Sequence, residues 1–401
     1  MKILMVHNYY NSSLPSGEKV VFEAEKALLE SHGHEVEVFT RNSVEILAKG
    51  IWGKLKGAMA TPWNPWMAAA IRRKVNAFKP DLVHVHNTFP LISPSIFHAI
   101  GHKAARVLTL HNYRLFCPAA IPMREGKVCT ECLDQHSSWP SVKYGCYRDS
   151  RLATLPLALN VELHRWLGTW TKQVDAFIAL TEFQKEKMIA AGLPADKVEV
   201  KPNFFSGNPA PQPWSKREPY VVFVGRLASE KGVETLIRAW QIWGSEAPEL
   251  RIVGDGPLKE KLEMSAKKLP IRFLGQLSSE LAQAQMAKAK LLVLPSEWFE
   301  GFPLVLGEAF AFGTPAAVSN IGPLPSIVNY GKNGVVFEPA NAESLAHTVK
   351  TAWETTGLLE RLGGEARNAF ENKYSKESNY SMLTQIYEGA ISKSKLLGGR
   401  K

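Results

Sequence analysis

Residues 291–315 read LLVLPSEWFEGFPLVLGEAFAFGTP, and this stretch decides how the rest of the chain is read. Its first four residues, 291–294, are apolar in the manner of a buried parallel strand, and Pro295 stops them. Glu300 and Glu308 follow, with seven residues between them, on either side of Gly301-Phe302-Pro303. Pro303 suits the first position of a helix, where its missing N–H costs nothing, so a helix is expected over 304–312 with Gly313 at its end. Gly301 lets backbone amides at a positive helix terminus come close to an anion, and a phosphate is the natural guest. Glu300 precedes that terminus and Glu308 lies two turns into the helix, about 10 Å apart at ~1.5 Å per residue. Such a pair reaches from one end of a nucleoside diphosphate sugar to the other. Phosphate repels carboxylates, so each glutamate is better used on hydroxyls. A lone pair of this spacing is more often one capping acid and one surface acid; the glycine, the proline and the strand favour the ligand.

Upstream, the same grammar appears twice. Residues 2–7 (KILMVH) predict a strand, 8–17 a loop, 18–31 a helix ending at Gly33, and 35–39 a second strand. That is the opening of a doubly wound sheet. The Ser16-Gly17 turn fits either a ligand loop or an ordinary turn between strand and helix. Strands are expected over 81–86 (DLVHVH) and 106–110 (RVLTL), with His86-Asn87 and His111-Asn112 at the carboxyl ends where open α/β sheets bind ligands. Of the two histidines, His111 is the better active-site candidate. A helix over 152–172, a strand over 176–180, a helix over 182–191 and a strand at 198–200 complete a first domain over 1–205. Residues 202–219 hold five prolines, a linker composition.

The pattern then restarts. A strand over 220–224 runs into Gly225-Arg226-Leu227, and Glu230-Lys231-Gly232 opens a helix. Arg226 and Lys231, five residues apart across that turn, can face one anion, Arg as a bidentate clamp and Lys as a point charge. Strands over 250–253 and 271–274 follow, the first leading into Gly254-Asp255-Gly256-Pro257, then a helix over 279–287, the organising stretch, and a last strand at 334–337. Helices are expected over 341–354, 358–373 and 375–394. The second domain is thus 206–374, with a terminal helical segment over 375–401 packing back on the first.

Two segments depart from this rhythm. Residues 49–74 mix Trp52, Trp63 and Trp66 with Lys49, Lys54, Lys56, Arg72, Arg73 and Lys74. That mixture can dock a bilayer or a lipid-linked substrate, or its aromatics can pack inward on a helix pair. Residues 112–150 hold all four cysteines, Cys117, Cys129, Cys132 and Cys146, with 11, 2 and 13 residues between them. Four thiolates from one insertion can close a structural zinc site; free or redox thiols are the alternative.

The 401 residues suffice for two cores, and 45% hydrophobic with 21% charged content fits a globular protein. Ile3–Val6 is too short an apolar run for a signal peptide, so a cytoplasmic protein is expected. Residues 1–205 carry 25 Lys and Arg against 18 Asp and Glu, seven of the ten net positive charges. No helix-turn-helix, RNP or zinc-finger pattern accompanies them, so nucleic acid is not expected. An anionic membrane surface or a phosphate-bearing substrate fits better, beside a simply basic soluble surface.

Taken together, the chain resembles the retaining GT-B glycosyltransferases of the group 1, or family 4, type. The marks are GRLASEKG (225–232), VGDGPL (253–258) and EGFPLVLGEAFAFGTP (300–315). TLHNYRLFCP (109–118), KVCTECL (127–133) and YGCYR (144–148) resemble a bacterial polysaccharide-assembly branch. The resemblance implies two Rossmann-like domains facing a cleft. It implies a catalytic set of His111, Arg226, Lys231 and Glu300. It also implies a donor site of Gly17, Gly225, Arg226, Lys231, Gly254, Glu300, Gly301, Phe302, Pro303, Leu304 and Glu308. Arg226 and Lys231 would hold the donor diphosphate, Glu308 the ribose, Glu300 the transferred sugar, and amides near Gly301-Phe302 the phosphate. No catalytic metal would be required. The expected partners are a UDP- or GDP-linked sugar, a lipid-linked saccharide acceptor and the inner membrane surface. Many relatives carry two adjacent glycines where this chain has Ser16-Gly17. A nucleotide-sugar epimerase of the same fold and a non-catalytic binding subunit are the alternatives.

Overall fold

The computed structural model of the chain describes residues 1–10, 17–47 and 50–398. Ser16, most of the loop expected over 8–17, and Lys49 lie outside the described residues, as do the side chains of Trp52 and Lys54. The chain divides into two compact units. One comprises 1–122, 129–202 and 379–401, and the other 123–128 and 203–378.

In the first unit, β1 (Lys2–Tyr9), β2 (Glu35–Asn42), β3 (Leu82–Val85) and β4 (Ala105–Thr109) are followed by a hairpin, β5 (Met123–Arg124) and β6 (Lys127–Val128), which the division assigns to the second unit. The strands β7 (Ala176–Ala179) and β8 (Val198–Val200) complete the sheet. Its order is β2-β1-β3-β4-β7-β8, parallel throughout. The central strands β3, β4 and β7 are buried along their whole length, so the polar residues within them, His84, Arg106 and Thr109, are buried as well. β1 extends two residues past the expected His7, because β2 is itself long enough to pair with Asn8 and Tyr9. The helix Lys376–Gly398 lays Leu383, Tyr387 and Ala390 into the core formed by Ile3, Met5, Leu82 and Val107.

In the second unit, β9 (Tyr220–Val224), β10 (Glu249–Val253), β11 (Ile271–Gly275), β12 (Leu291–Leu294), β13 (Ala316–Ser319) and β14 (Gly334–Phe337) form a second parallel sheet. Its order is β11-β10-β9-β12-β13-β14. Renumbered within the unit this is 3-2-1-4-5-6, the Rossmann order, and the chain reverses direction across the sheet between β9 and β12. Ligands of such sheets bind outside the carboxyl ends of the strands at that switch point. β13 has no counterpart among the expected strands, because AAVS is too short and too small to stand out as an apolar run. One core, including Val221, Leu236, Trp240, Leu291 and Val349, underlies this sheet.

Three expectations need correction. Pro303 is the cap of the helix Leu304–Ala311 (φ −68°, ψ 115°), so Leu304 takes its first position. The helix expected over 152–172 stops at Trp166, and Gly168 (φ 63°) turns the chain into a short helix, Thr169–Lys172. The helix expected over 358–373 is α-helical to Ala369 and continues as a π-helical turn, Phe370–Tyr374. The proline-rich connection is also anchored. Arg217 is buried and donates to the carbonyls of Ala289 (2.7 Å) and Phe312 (2.6 Å) and to Thr314 Oγ1 (2.7 Å). Its cation thus neutralises the carbonyl end of the helix Leu304–Ala311.

Candidate functional site

At the switch point of the second unit, two loops are built against one another. The turn after β9 carries Gly225, Arg226 and Lys231, and the turn after β12 carries Ser296, Glu300 and Gly301. Gly232 joins the first turn to the helix Val233–Trp243 at φ 65°, where a Cβ would lie 1.9 Å from the Pro295 carbonyl oxygen. Only glycine allows that approach. Gly254, at φ 137° after β10, is a second such contact: its Cβ would lie 1.9 Å from the Gly225 carbonyl oxygen. Gly225 N–H donates to Val253 O (3.0 Å) and Leu227 N–H to Asp255 O (2.9 Å), so the turns after β9 and β10 are laced together.

Across the first of these contacts Lys231 Nζ donates to Glu300 Oε1 at 2.6 Å, and Ser296 Oγ donates to the same oxygen at 2.7 Å. Glu300 is 5% exposed, and the Lys231 ammonium also sits 5.2 Å from the centre of the Trp298 ring. Both hydrogen bonds fall on Oε1, so Oε2 is left to take a hydroxyl. Arg226 is exposed, with no ionic partner among the described residues. The helix Leu304–Ala311 has no side-chain cap, so its first amides are open to an anion. Phe302 is buried and packs 5.1 Å from Tyr374, fixing the turn that leads into the helix. Glu308 lies on the same helix; burial pushes its carboxyl above the usual carboxylate range, with the Gln283 amide pulling the other way. The second unit thus brings together Gly225, Arg226, Lys231, Gly254, Glu300, Gly301, Phe302, Pro303 and Leu304 at one sheet edge, with Glu308 on the adjoining helix.

The first unit holds His111 and Gly17. Gly17 opens the helix Gly17–Ser31 and is exposed. The next residue, Glu18, accepts from Asn87 Nδ2 (3.1 Å) and Asn112 Nδ2 (2.8 Å), which clasp the helix start to the loops after β3 and β4. Burial raises the Glu18 carboxyl pKa against those bonds. His111 Nε2 lies 3.0 Å from His86 Nδ1, and both histidines line a cavity with Asn87, Asn112, Arg114 and Trp170. Burial pushes His111 down to about 3 and His86 well below its ordinary value, so both rings are neutral at pH 7.

Behind these rings stands a group the sequence reading missed. Glu25, His84, His86 and Lys201 have side chains with no exposure, and Lys201 Nζ donates to Glu25 Oε1 at 2.7 Å. Glu25 Oε2 is 3.5 Å from His86 Nε2 and 3.8 Å from His84 Nδ1. The signal was present: Val21, Phe22, Glu25, Leu28 and Leu29 share the buried face of one helix, so a carboxylate stands where an apolar residue is expected. Among the described residues, Glu25, His84 and His86 are also the group whose ligand atoms lie within 4.8 Å of one another. The Lys201 ammonium already supplies the cation that the carboxylate requires.

None of the four cysteines is in a disulfide. Burial and their mutual proximity raise Cys117 to about 12 and Cys132 to about 11, Cys132 sensing Cys129 and Cys146. Among the described residues no three of the sulfurs lie within 4.8 Å of one another, so a tetrahedral thiolate site is not preformed. In the basic, Trp-bearing segment, Trp63 stacks on His164 (5.8 Å, 13°) while Trp66 is 61% exposed with the Lys56 ammonium 5.2 Å from its ring. Close in kind, the helix Arg151–Trp166 buries Thr154, Leu157, Ala158 and Val161, and leaves Leu152, Leu159 and Trp166 exposed at seven-residue spacing on the other face. No described helix is long and apolar enough to cross a membrane.

Residues 207–369 match the family described as glycosyl transferases group 1, and residues 17–206 match glycosyltransferase family 4. The chain is 32% identical over 179 residues to an uncharacterized glycosyltransferase of Methanocaldococcus jannaschii, covering 43% of this chain and 46% of that protein. It is 24% identical over 389 residues to a putative teichuronic acid biosynthesis glycosyltransferase of Bacillus subtilis, covering 87% and 88%. The chain spans less than two thirds of several curated relatives, 61% of a sulfoquinovosyl transferase of Arabidopsis thaliana among them. The fold is shared with the Anabaena protein HepE in complex with UDP, at a TM-score of 0.67 and 20% identity, covering 97% of this chain and 100% of that one.

Proposed function

The chain belongs to the group 1 glycosyltransferases of GT-B fold, and from that premise we propose that it moves a sugar from a nucleoside diphosphate to a saccharide acceptor. The observation that carries this reading is the switch point of the second unit. There the turn after β9 carries Arg226 and Lys231, Lys231 is bonded to Glu300 of the turn after β12, and the helix that follows starts without a side-chain cap, which supports an anion site at this edge. The chemistry follows from charge. As the sugar leaves, negative charge grows on the diphosphate; Arg226, Lys231 and the amides at Leu304 neutralise it. Each charge-assisted bond contributes roughly 1.5–3 kcal/mol. Lys231 has three N–H groups, so it can keep Glu300 and still donate to a phosphate. Glu308 holds the ribose and Glu300 the transferred sugar, with His111 the sugar-side group of the first unit. These residues suffice without a catalytic divalent metal, so turnover should not depend on added magnesium or manganese. The transfer retains configuration, the acceptor attacking the face from which the diphosphate departs.

UDP is the first nucleotide to try, since solved relatives of this fold hold it. The acceptor is a lipid-linked saccharide of exopolysaccharide, capsule or O-antigen assembly; support comes from the teichuronic acid relative and from the exposed apolar stripe of Leu152, Leu159 and Trp166. We propose that the four cysteines, brought closer together than this structure holds them, bind a structural zinc, the support being that Cys132 senses Cys117, Cys129 and Cys146 within one insertion. Stoichiometric zinc in protein purified without added metal is the expected result, and its absence would remove that assignment.

The test is a mass-spectrometric screen of the purified chain against UDP-, GDP- and ADP-sugars, with and without membrane extract. Diphosphate release from one donor, stimulated by extract, is expected. Conversion of a donor to its isomer without extract, resolved by chromatography because the two have one mass, would replace transfer by epimerisation.

A further inference from the structure

The buried core behind His111 contains more polar chemistry than packing requires. Glu25 is ion-paired through Oε1 with Lys201, yet its Oε2 has no hydrogen-bond partner among the described residues. A buried carboxylate oxygen needs a donor. Two ring nitrogens face it. His84 Nδ1, at 3.8 Å, is already 2.7 Å from the Tyr387 hydroxyl, and His84 Nε2 is 2.7 Å from Thr109 Oγ1. His86 Nε2, at 3.5 Å, has no hydrogen-bond partner among the described residues. Were the His86 proton on Nδ1 instead, its Nε2 lone pair would face a carboxylate in a site closed to water. The remaining neighbour, His7, stacks on Phe22 (4.9 Å) with its ring 6.5 Å from that of His86, and its nitrogens bond nothing among the described residues.

We propose that Glu25 is a positioning residue which, through His86, fixes the tautomer of His111. His86 carries its proton on Nε2, toward Glu25. Its Nδ1 is then a lone pair 3.0 Å from His111 Nε2, so that nitrogen must carry the proton and donate. His111 is left with an acceptor at Nδ1. The consequence rests on the reading of His111 as a sugar-side group: it accepts a hydrogen bond from a substrate hydroxyl and donates none from Nδ1. A substrate lacking that hydroxyl would lose the contact altogether.

The experiment is long-range proton–nitrogen NMR on the full chain labelled with ¹⁵N-histidine, without substrate, at pH 7.5. H111Q and H86Q assign the two rings by loss of their signals. The expected pattern is Nε2–H on both; Nδ1–H on either ring, or a doubly protonated ring, overturns the proposal. In E25Q, the His111 pattern should move from one tautomer to a mixture. A His111 pattern unchanged in folded E25Q would also overturn it. Should E25Q not fold, the wild-type spectrum alone decides. Because no substrate is present, failure of the transferase reading is separable: it would appear as intact tautomers in a protein that turns over no nucleotide sugar.

Discussion

Replacing Gly232 by alanine should cut activity far more than it cuts stability. The added Cβ would stand 1.9 Å from the Pro295 carbonyl oxygen, 2.9 Å from its carbon and 3.3 Å from Glu297 Cγ. Both nearer atoms are backbone, so no side-chain rotation relieves the clash. To reach 3.0 Å, the closest separation tolerated, the turn after β9 and the turn after β12 must part by about 1 Å. The Lys231–Glu300 bond of 2.6 Å spans those turns and would stretch beyond hydrogen-bonding length. The backbone adds its own cost, since alanine at φ 65° is less stable than glycine by about 1–2 kcal/mol. A misplacement of that size at a reacting centre costs on the order of 10²-fold in rate. Gly357→Ala is the control, because it has the same left-handed backbone (φ 73°) with nothing within 4 Å. Thermal unfolding should show both variants destabilised, by a few degrees at about 2–4 °C per kcal/mol. Titration with UDP and assay of donor turnover should show a large loss in Gly232→Ala alone. A folded Gly232→Ala with UDP affinity and turnover within about twofold of wild type would refute the reasoning that ties the site to this contact.

Three further outcomes are expected. Burial raises the folded-state pKa of Glu308, so its charged form costs stability at neutral pH and that cost fades as pH falls and the group protonates. Glu308→Gln should therefore melt slightly higher at pH 7.5, with the gain shrinking at pH 4.5, while donor affinity falls about tenfold if the carboxylate holds the ribose. His7, His84, His86 and His111 are all depressed by burial, His7 to about 4 and His111 to about 3. The unfolded chain then binds protons first, so stability is full above pH 6.5 and falls as pH drops toward the folded values. Each such ring contributes up to about 1.4 kcal/mol per pH unit; equal urea midpoints at pH 7.5 and 5.0 would contradict this. Leu152→Glu with Trp166→Glu should abolish sedimentation with phosphatidylglycerol vesicles, each apolar group being worth about 1.5–3 kcal/mol when buried in lipid. Absence of sedimentation by the wild type, or sedimentation unaltered in the double variant, would contradict the proposal that this stripe meets lipid.

The second unit was legible because its central strands β9 and β12 are buried on both faces and its turns obey local rules. LLVL, YVVFV and GVVF read as strands from composition alone, and the glycines at 225, 232 and 254 mark turns. The Arg226–Lys231 turn could be aligned with Glu300 because a parallel sheet sends successive strand ends to one edge. Residues far apart in sequence were harder. Lys201 and Glu25 are 176 positions apart, and neither announces a partner; only the apolar periodicity around Glu25 hints that its carboxylate is buried. Arg217 looked like linker because the prolines around it dominate, although its guanidinium reaches the carbonyl end of the site helix. β13 escaped notice since two alanines, a valine and a serine gain their strand state from neighbours at Leu292 and Val335 rather than from their own preference.

The measurement that bears most directly on the central claim is calorimetric titration of UDP into the wild-type chain and into Arg226→Ala and Lys231→Ala. Measurable binding to the wild type, weakened at least about tenfold by each substitution in variants that remain folded, is the predicted result. UDP binding that neither substitution alters would contradict the assignment of the second-unit switch point as the diphosphate site.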